Sequence, residues 1–260
     1  MSAAPRSASN AAPTAALIII GAEVLAAKVD DANGPFLLRA LRARGVEVVE
    51  MRTIGDSVTA IAEAVRTLAG RADFVLVTGG IGPTHDDVTV AGVAAAFDLT
   101  IVRHAELERR VRARWGGEAR EPHFRLAEIP FGATVALDKE GILPVIRVRN
   151  VFLFAGVPSL LRQCFARIAD ELGGAPFYSR ALLLKASEPQ IADILTAAQR
   201  DFADVAIGSY PRMDEPRYRV KVTFDGRTAA RVAAAAADVR AQLDPDWIVG
   251  EEGPTCSTVT

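Results

Sequence analysis

The chain has 260 residues, 50% of them hydrophobic and 24% charged, and a formal net charge of −2. That length supports one sizeable core or two unequal domains. The near-balanced charge excludes a global basic field for non-specific nucleic-acid binding, and no run approaches the roughly 20 apolar residues of a membrane-spanning helix. Cys164 and Cys256 form no Cys-x-x-Cys pair, which argues against a zinc ribbon, a redox motif or a disulfide scaffold and suits a reducing cytoplasm.

Residues 1–14, rich in Ala, Ser and Pro, read as a disordered tail, because the apolar run Ala15–Ile20 is too short for a signal-peptide core. Leu17–Ile20 is an all-apolar strand ended by Gly21, as expected in a parallel sheet covered on both faces. From Asn33 to Arg44 the positions Phe36, Leu37, Ala40 and Leu41 have helical spacing, with Asn33 as N-cap and Gly45 as stop. Strand Val46–Ile54, helix Val58–Ala69 and strand Asp73–Thr78 follow, then a helix capped by Thr89 and running to Asp98. The basic helix His104–Trp115 reads most simply as a solvated face. Residues 118–130 look irregular, and strands are expected at Ala133–Ala136, Val145–Val148 and Val151–Phe154, around turns at Gly141 and Arg149-Asn150. A second strand-to-helix turn opens at Ala155–Ser159, with a helical stripe to Leu172.

Gly173–Pro176 is the clearest linker. Beyond it come strand Arg180–Lys185, helix Glu188–Arg200, strands Val205–Ser209 and Arg217–Phe224, helix Arg227–Leu243, and an end, 251–260, that looks unstructured. The expected architecture is α/β: a doubly wound, mostly parallel sheet over 15–174, joined to a smaller α+β domain over 178–250.

The chemistry concentrates in Thr78–Thr89, Thr-Gly-Gly-Ile-Gly-Pro-Thr-His-Asp-Asp-Val-Thr, which reads as strand, glycine turn and helix. Gly79, Gly80 and Gly82 allow close backbone approach to a ligand, and the strand end and helix start attract anions. Asp86 and Asp87 in the same mouth would repel such an anion unless a divalent cation or a proton lies between them. A metal-bound phosphorylated ligand reconciles the two. Neither the Walker loop, which needs Gly-Lys-Ser/Thr, nor the dinucleotide fingerprint after the first strand is present.

The stretch Gly79–Thr89 resembles the signature of the molybdopterin-binding domain family, in the variant shared by the amino-terminal region of CinA and the molybdopterin-binding-like domain of FAD synthases. Gly21-Ala22-Glu23, Asp31-Ala32-Asn33 and Gly156-Val157-Pro158 are similar to further motifs of that branch, and the likeness covers roughly residues 15–172. Ala22 and Ala155 depart from it. The CinA-type Asn-Arg-Lys-Gln segment is replaced by Pro122–Ala127, while Arg149–Phe154 looks more like the FAD-synthase branch. Ile207–Pro211 and Tyr218–Val222 resemble the smaller domain that follows in both relatives, described as KH-like in CinA. Without a basic Gly-x-x-Gly loop its simplest role is packing or dimerisation, not RNA binding. No deamidase or adenylyltransferase region follows, so the chain reads as a stand-alone pair of domains.

The resemblance implies either metal-dependent hydrolysis of a dinucleotide such as FAD or ADP-ribose, or non-catalytic binding of molybdopterin or a nucleotide for biosynthesis, delivery or sensing. Asp87 and then Asp86 are the catalytic candidates, and Asp86, Asp87 and Glu23 the metal ligands, with Mg²⁺, Mn²⁺ or Co²⁺ as the cation, K⁺ a further candidate and molybdopterin a candidate ligand. Gly21, Glu23, Asp31, Asn33, Thr78, Gly79, Gly80, Gly82, Thr84, Gly156 and Pro158 are expected to hold the ligand, the last two from the second turn. The expected partners are a small nucleotide or pterin and a second copy of the chain, with no nucleic acid and no membrane. His85, His104, His123 and Trp115 carry no role in this reading.

Overall fold

The computed structural model describes residues 12–138 and 143–256. The turn expected at Gly141, residues 1–11 of the expected tail and 257–260 lie outside them. The chain divides into two units, one formed by the chain up to Arg42 with Val46–Gly174, the other by Ala43–Gly45 with the chain from Ala175.

In the first unit the elements run β1 (Thr14–Ile20), α1 (Ala22–Leu25), α2 (Asn33–Ala43), β2 (Glu47–Ile54), α3 (Val58–Ala69), β3 (Phe74–Thr78), α4 (Thr89–Ala96), β4 (Ile101–Arg103), α5 (Ala105–Trp115), α6 (Glu121–Phe124), β5 (Glu128–Pro130), β6 (Thr134–Ala136), β7 (Val145–Val148), β8 (Val151–Phe154) and α7 (Pro158–Ile168). The main sheet has the order β2-β1-β3-β8-β7-β6, parallel through β8 and antiparallel at β7 and β6. Successive side chains of a strand point to opposite faces. Ala16, Ile18 and Ile20 accordingly pack with the apolar stripe of α3, Ile61, Val65 and Leu68, while Ala15 and Leu17 pack on the other face with Leu37 of α2 and Leu161 and Phe165 of α7. Covering both faces explains why β1 carries no polar side chain between Ala15 and Ile20. Each fully buried Leu, Ile or Phe contributes about 1.5–3 kcal/mol.

Several local expectations need correction. β1 begins one residue inside the expected tail, because the Thr14 N–H and hydroxyl both donate to Asp73 Oδ2, each at 2.9 Å, and so fix the start of the strand. Asn33 is the first residue of α2 rather than its cap; Asp31 Oδ1 accepts from the N–H groups of Asn33 and Gly34, both at 2.9 Å. Thr89 likewise lies inside α4, with its hydroxyl directed to the Gly79 carbonyl at 2.7 Å. The segment 118–130 contains α6, and β5 pairs antiparallel with β4.

The second unit is β9 (Tyr178–Leu184), α8 (Glu188–Asp201), β10 (Val205–Pro211), β11 (Val220–Gly226), α9 (Ala229–Gln242) and β12 (Ile248–Cys256), with an antiparallel sheet in the order β10-β11-β9-β12. Residues 251–256, expected as unstructured, belong to β12 and pair with β9, extending the sheet by an edge strand. Along β11, buried Val220, Val222 and Phe224 alternate with half-buried Lys221, Thr223 and Asp225, the pattern of a sheet with one face covered by helices. Among the described residues no helix is long and apolar enough to cross a membrane.

Candidate functional site

β1 leads through α2 to β2 on one side, while β3 lies on the other side of β1. The carboxyl ends of β1 and β3 therefore flank a topological switch point, where an open α/β sheet leaves a crevice for a ligand. A cavity of about 580 Å³ occupies that place, within the 300–1,000 Å³ range of small-molecule sites. Glu23 enters its wall after β1, Asp31 and Asn33 from the start of α2, Thr78, Gly79, Gly80, Gly82, Asp86 and Asp87 after β3, and Gly156 and Pro158 after β8. Of the residues singled out in the sequence, Gly21 and Thr84 do not line it. Gly21 caps α1 and donates its N–H to the Ile54 carbonyl at 3.0 Å.

The glycine turn is locked by backbone geometry. Gly79 has φ 104°, and a Cβ there would stand 2.0 Å from the Ile20 carbonyl oxygen, so glycine alone fits. Its N–H is already given to the Phe154 carbonyl at 3.2 Å. The next three N–H groups, of Gly80, Ile81 and Gly82, have no partner among the described residues, and all three residues line the cavity. Successive unpaired N–H groups at a turn form an anion-binding nest. Of the groups expected to meet a phosphate, these amides are open and the Thr78 hydroxyl is not. That hydroxyl donates to the Ala155 carbonyl at 3.0 Å and accepts from Asn33 Nδ2 at 3.1 Å.

Asn33 joins the start of α2 to two strand ends, those of β3 and β8. Its Nδ2 reaches Thr78 and, at 2.7 Å, the Gly156 carbonyl, while its buried Oδ1 has no partner among the described residues. A buried acceptor left unmade costs about 1–3 kcal/mol, and a ligand donor would satisfy it.

The carboxylates divide by what already holds them. Asp31 caps α2, and Asp56 Oδ2 accepts from the Ala22 N–H at 2.8 Å. Asp87 Oδ2 accepts from the Thr84 N–H at 2.8 Å and from the Thr84 hydroxyl. Arg125 fixes this turn from outside, donating to the Thr84 carbonyl at 2.6 Å. The neighbouring Thr84 side chain, helped by the backbone N–H of Asp86, lowers the Asp86 carboxyl from its ordinary value. Asp30 and Asp56 also line the cavity, which among the described residues makes six carboxylates with Glu23, Asp31, Asp86 and Asp87, against one guanidinium, that of Arg114. Sequence reasoning missed Asp30, Asp56, Arg114 and Trp115. The Asp30-Asp31 pair was a visible signal, whereas the others reach the cavity only through tertiary structure.

Residues 16–174 match the family described as the probable molybdopterin binding domain, and residues 176–252 match the middle domain of FAD synthase. The chain is 34% identical over 219 residues to a protein of Archaeoglobus fulgidus, covering 84% of this chain and 93% of that one. It is 30% identical over 260 residues to a probable FAD synthase of Caenorhabditis elegans, covering 88% of this chain but only 50% of the relative, so it spans about half of that protein. A crystal structure of CinA, of unknown function, from Thermoplasma acidophilum shares the fold with a TM-score of 0.58 at 24% identity, over 63% of this chain and 99% of that one. The chain belongs to the molybdopterin-binding domain family, in the arrangement that joins this domain to a FAD synthase middle domain.

Proposed function

We propose that this protein is a divalent-cation-dependent nucleotide pyrophosphatase that releases AMP from a dinucleotide of the FAD or ADP-ribose type. The observation that supports this most strongly is the electrostatic conflict in the cavity: among the described residues, three unpaired backbone N–H groups suited to phosphate share a wall with six carboxylates and one arginine. At an effective dielectric of about 20, like charges about 4 Å apart repel by roughly 4 kcal/mol, so a phosphorylated ligand needs a cation there. All the donors are oxygen, which suits Mg²⁺ or Mn²⁺. Among the described residues no three His, Cys, Asp or Glu side chains come together as a metal cage. The fit is therefore to a cation that takes its remaining oxygens from ligand and water, as Mg²⁺ commonly does.

Asp86, with Glu23 entering the same cavity after β1, would hold such a cation, which would neutralise the pyrophosphate oxygens and acidify an attacking water. The amides of Gly80, Ile81 and Gly82 hold a phosphate oxygen in place. Asp87 Oδ1, the oxygen not engaged by Thr84, orients the attacking water and accepts its proton. Attack at phosphorus breaks the phosphoanhydride bond and releases AMP and the second phosphomonoester. The probable FAD synthase relative supports nucleotide chemistry as the setting.

A second reading, non-catalytic binding of a molybdopterin-like or nucleotide ligand, draws support from the absence of a ready-made metal cage among the described residues and from the family's description. Incubation of the protein with ADP-ribose, FAD and NAD in the presence of Mg²⁺, Mn²⁺ or Co²⁺ separates the two. The hydrolase reading expects cation-dependent AMP from at least one substrate; tight binding with no AMP from any of them supports the second.

A further inference from the structure

Helix α5 ends at the cavity. Of its four arginines, three are tied to carboxylates of the same helix: Arg109 and Arg110 pair with Glu106, the latter at 2.7 Å, and Arg112 pairs with Glu108 at 2.6 Å. Arg114 has no ion-pair partner among the described residues, and it lines the cavity together with Trp115. The Arg114 guanidinium lies 5.5 Å from the centre of the Trp115 ring, and the His123 ring lies 4.7 Å away, centre to centre. The indole is only half-buried, so its position is set by neighbours on the protein side while part of its surface faces the cavity. Leu126, Leu143 and Val24 add apolar wall, in contrast to the amides and carboxylates of the glycine turn.

We propose that Arg114 and Trp115 form the base-recognition end of this cavity, with Trp115 stacking on the planar ring of the ligand and Arg114 meeting its phosphate. The ligand class is then a phosphorylated compound with an aromatic ring, a nucleotide, and not a sugar phosphate or inorganic pyrophosphate. This rests on the cavity being the ligand site of the proposed function, but not on hydrolysis. Stacking of a base on an aromatic side chain contributes about 1–3 kcal/mol, or roughly 5- to 150-fold in affinity.

The sequence contains two tryptophans, so a Trp247→Phe background leaves Trp115 as the sole indole fluorophore. In that background, with Mg²⁺ present, ADP is expected to quench the emission and pyrophosphate to leave it unchanged. By calorimetry on the full chain, Trp115→Ala is expected to weaken ADP at least fivefold and leave pyrophosphate affinity intact, while Trp115→Phe recovers most of the loss. Arg114→Gln is expected to weaken both ligands. Equal weakening of ADP and pyrophosphate by Trp115→Ala, unchanged ADP affinity, or no ADP binding to the wild type would each overturn the assignment. The hydrolase reading fails separately: it is lost if ADP-ribose binds in a Trp115-dependent way but yields no AMP. If AMP is released and Trp115→Ala leaves the KM for ADP-ribose unchanged, the stacking role alone is rejected.

Discussion

In the first unit the buried polar side chains found among the described residues, Asn33, Thr78 and Thr89, sit beside the ends of β3 and β8, whereas the core of the second unit is filled by apolar side chains such as Val222, Phe224, Ile191 and Val239. A buried polar group is costly unless satisfied, so a fold keeps one where it fixes a geometry that apolar packing cannot. Asn33 and Thr78 tie the ends of β3 and β8 to the start of α2; Thr89 holds the carbonyl of Gly79. The first unit thus gives up some apolar packing at its strand ends to fix polar groups beside the cavity, while the core of the second unit is held by apolar packing.

Three substitutions would break or sharpen that contrast, from the largest expected effect to the smallest. Phe224→Ala removes a fully buried ring from the second unit and is expected to cost about 3–5 kcal/mol in a denaturant titration, with ligand affinity at low temperature unchanged. A matching loss of affinity would show that the second unit helps to shape the cavity. Gly79→Ala forces a side chain into a left-handed backbone against the Ile20 carbonyl. It should cost roughly 1–3 kcal/mol and, unlike Phe224→Ala, abolish ligand binding under conditions where circular dichroism still shows folded protein. Asn33→Ala leaves the Gly156 carbonyl without this donor and removes the bond that the Thr78 hydroxyl accepts, while its bond to the Ala155 carbonyl remains, with an expected cost of about 1–2 kcal/mol and a clear drop in affinity from the loosened strand ends.

A smaller effect probes the apolar side of the first unit. Cys164 is buried between α7 and the sheet; desolvation raises its pKa, only partly offset by Arg167. Since the thiolate is the reactive form, the raised value leaves less of it at any pH below the folded pKa. In a Cys256→Ser background the native protein is expected to resist a thiol reagent at pH 8 and to react fully once unfolded. Fast native labelling would show that this face opens.

Much of this architecture was legible in the sequence because its signals are local. All-apolar β1 and β3, the stripe of α3 and the glycines of the turn each act over a few residues. The parts that were not legible depend on distant partners. Asn33 had the composition of a cap, yet its role comes from Thr78 and Gly156, 45 and 123 residues away. Thr78 looked available to phosphate, but its hydroxyl is already engaged by strand-end neighbours. In β12, Gly253-Pro254 and the paired Glu251-Glu252 hid a strand that exists because β9 offers it an edge. The place of Trp115 beside the cavity is not legible either, since helical spacing says which face is apolar, not where the helix ends in space.

The most direct measurement is AMP release from ADP-ribose and FAD by wild type and Asp87→Asn side by side, with Mg²⁺ and with the cation chelated. Hydrolysis at the glycine turn predicts cation-dependent AMP from the wild type, a loss of at least about a hundredfold in Asp87→Asn, which is within the range that general-base catalysis supplies, and the same thermal unfolding curve for both proteins. AMP released by a folded Asp87→Asn at the wild-type rate would contradict it.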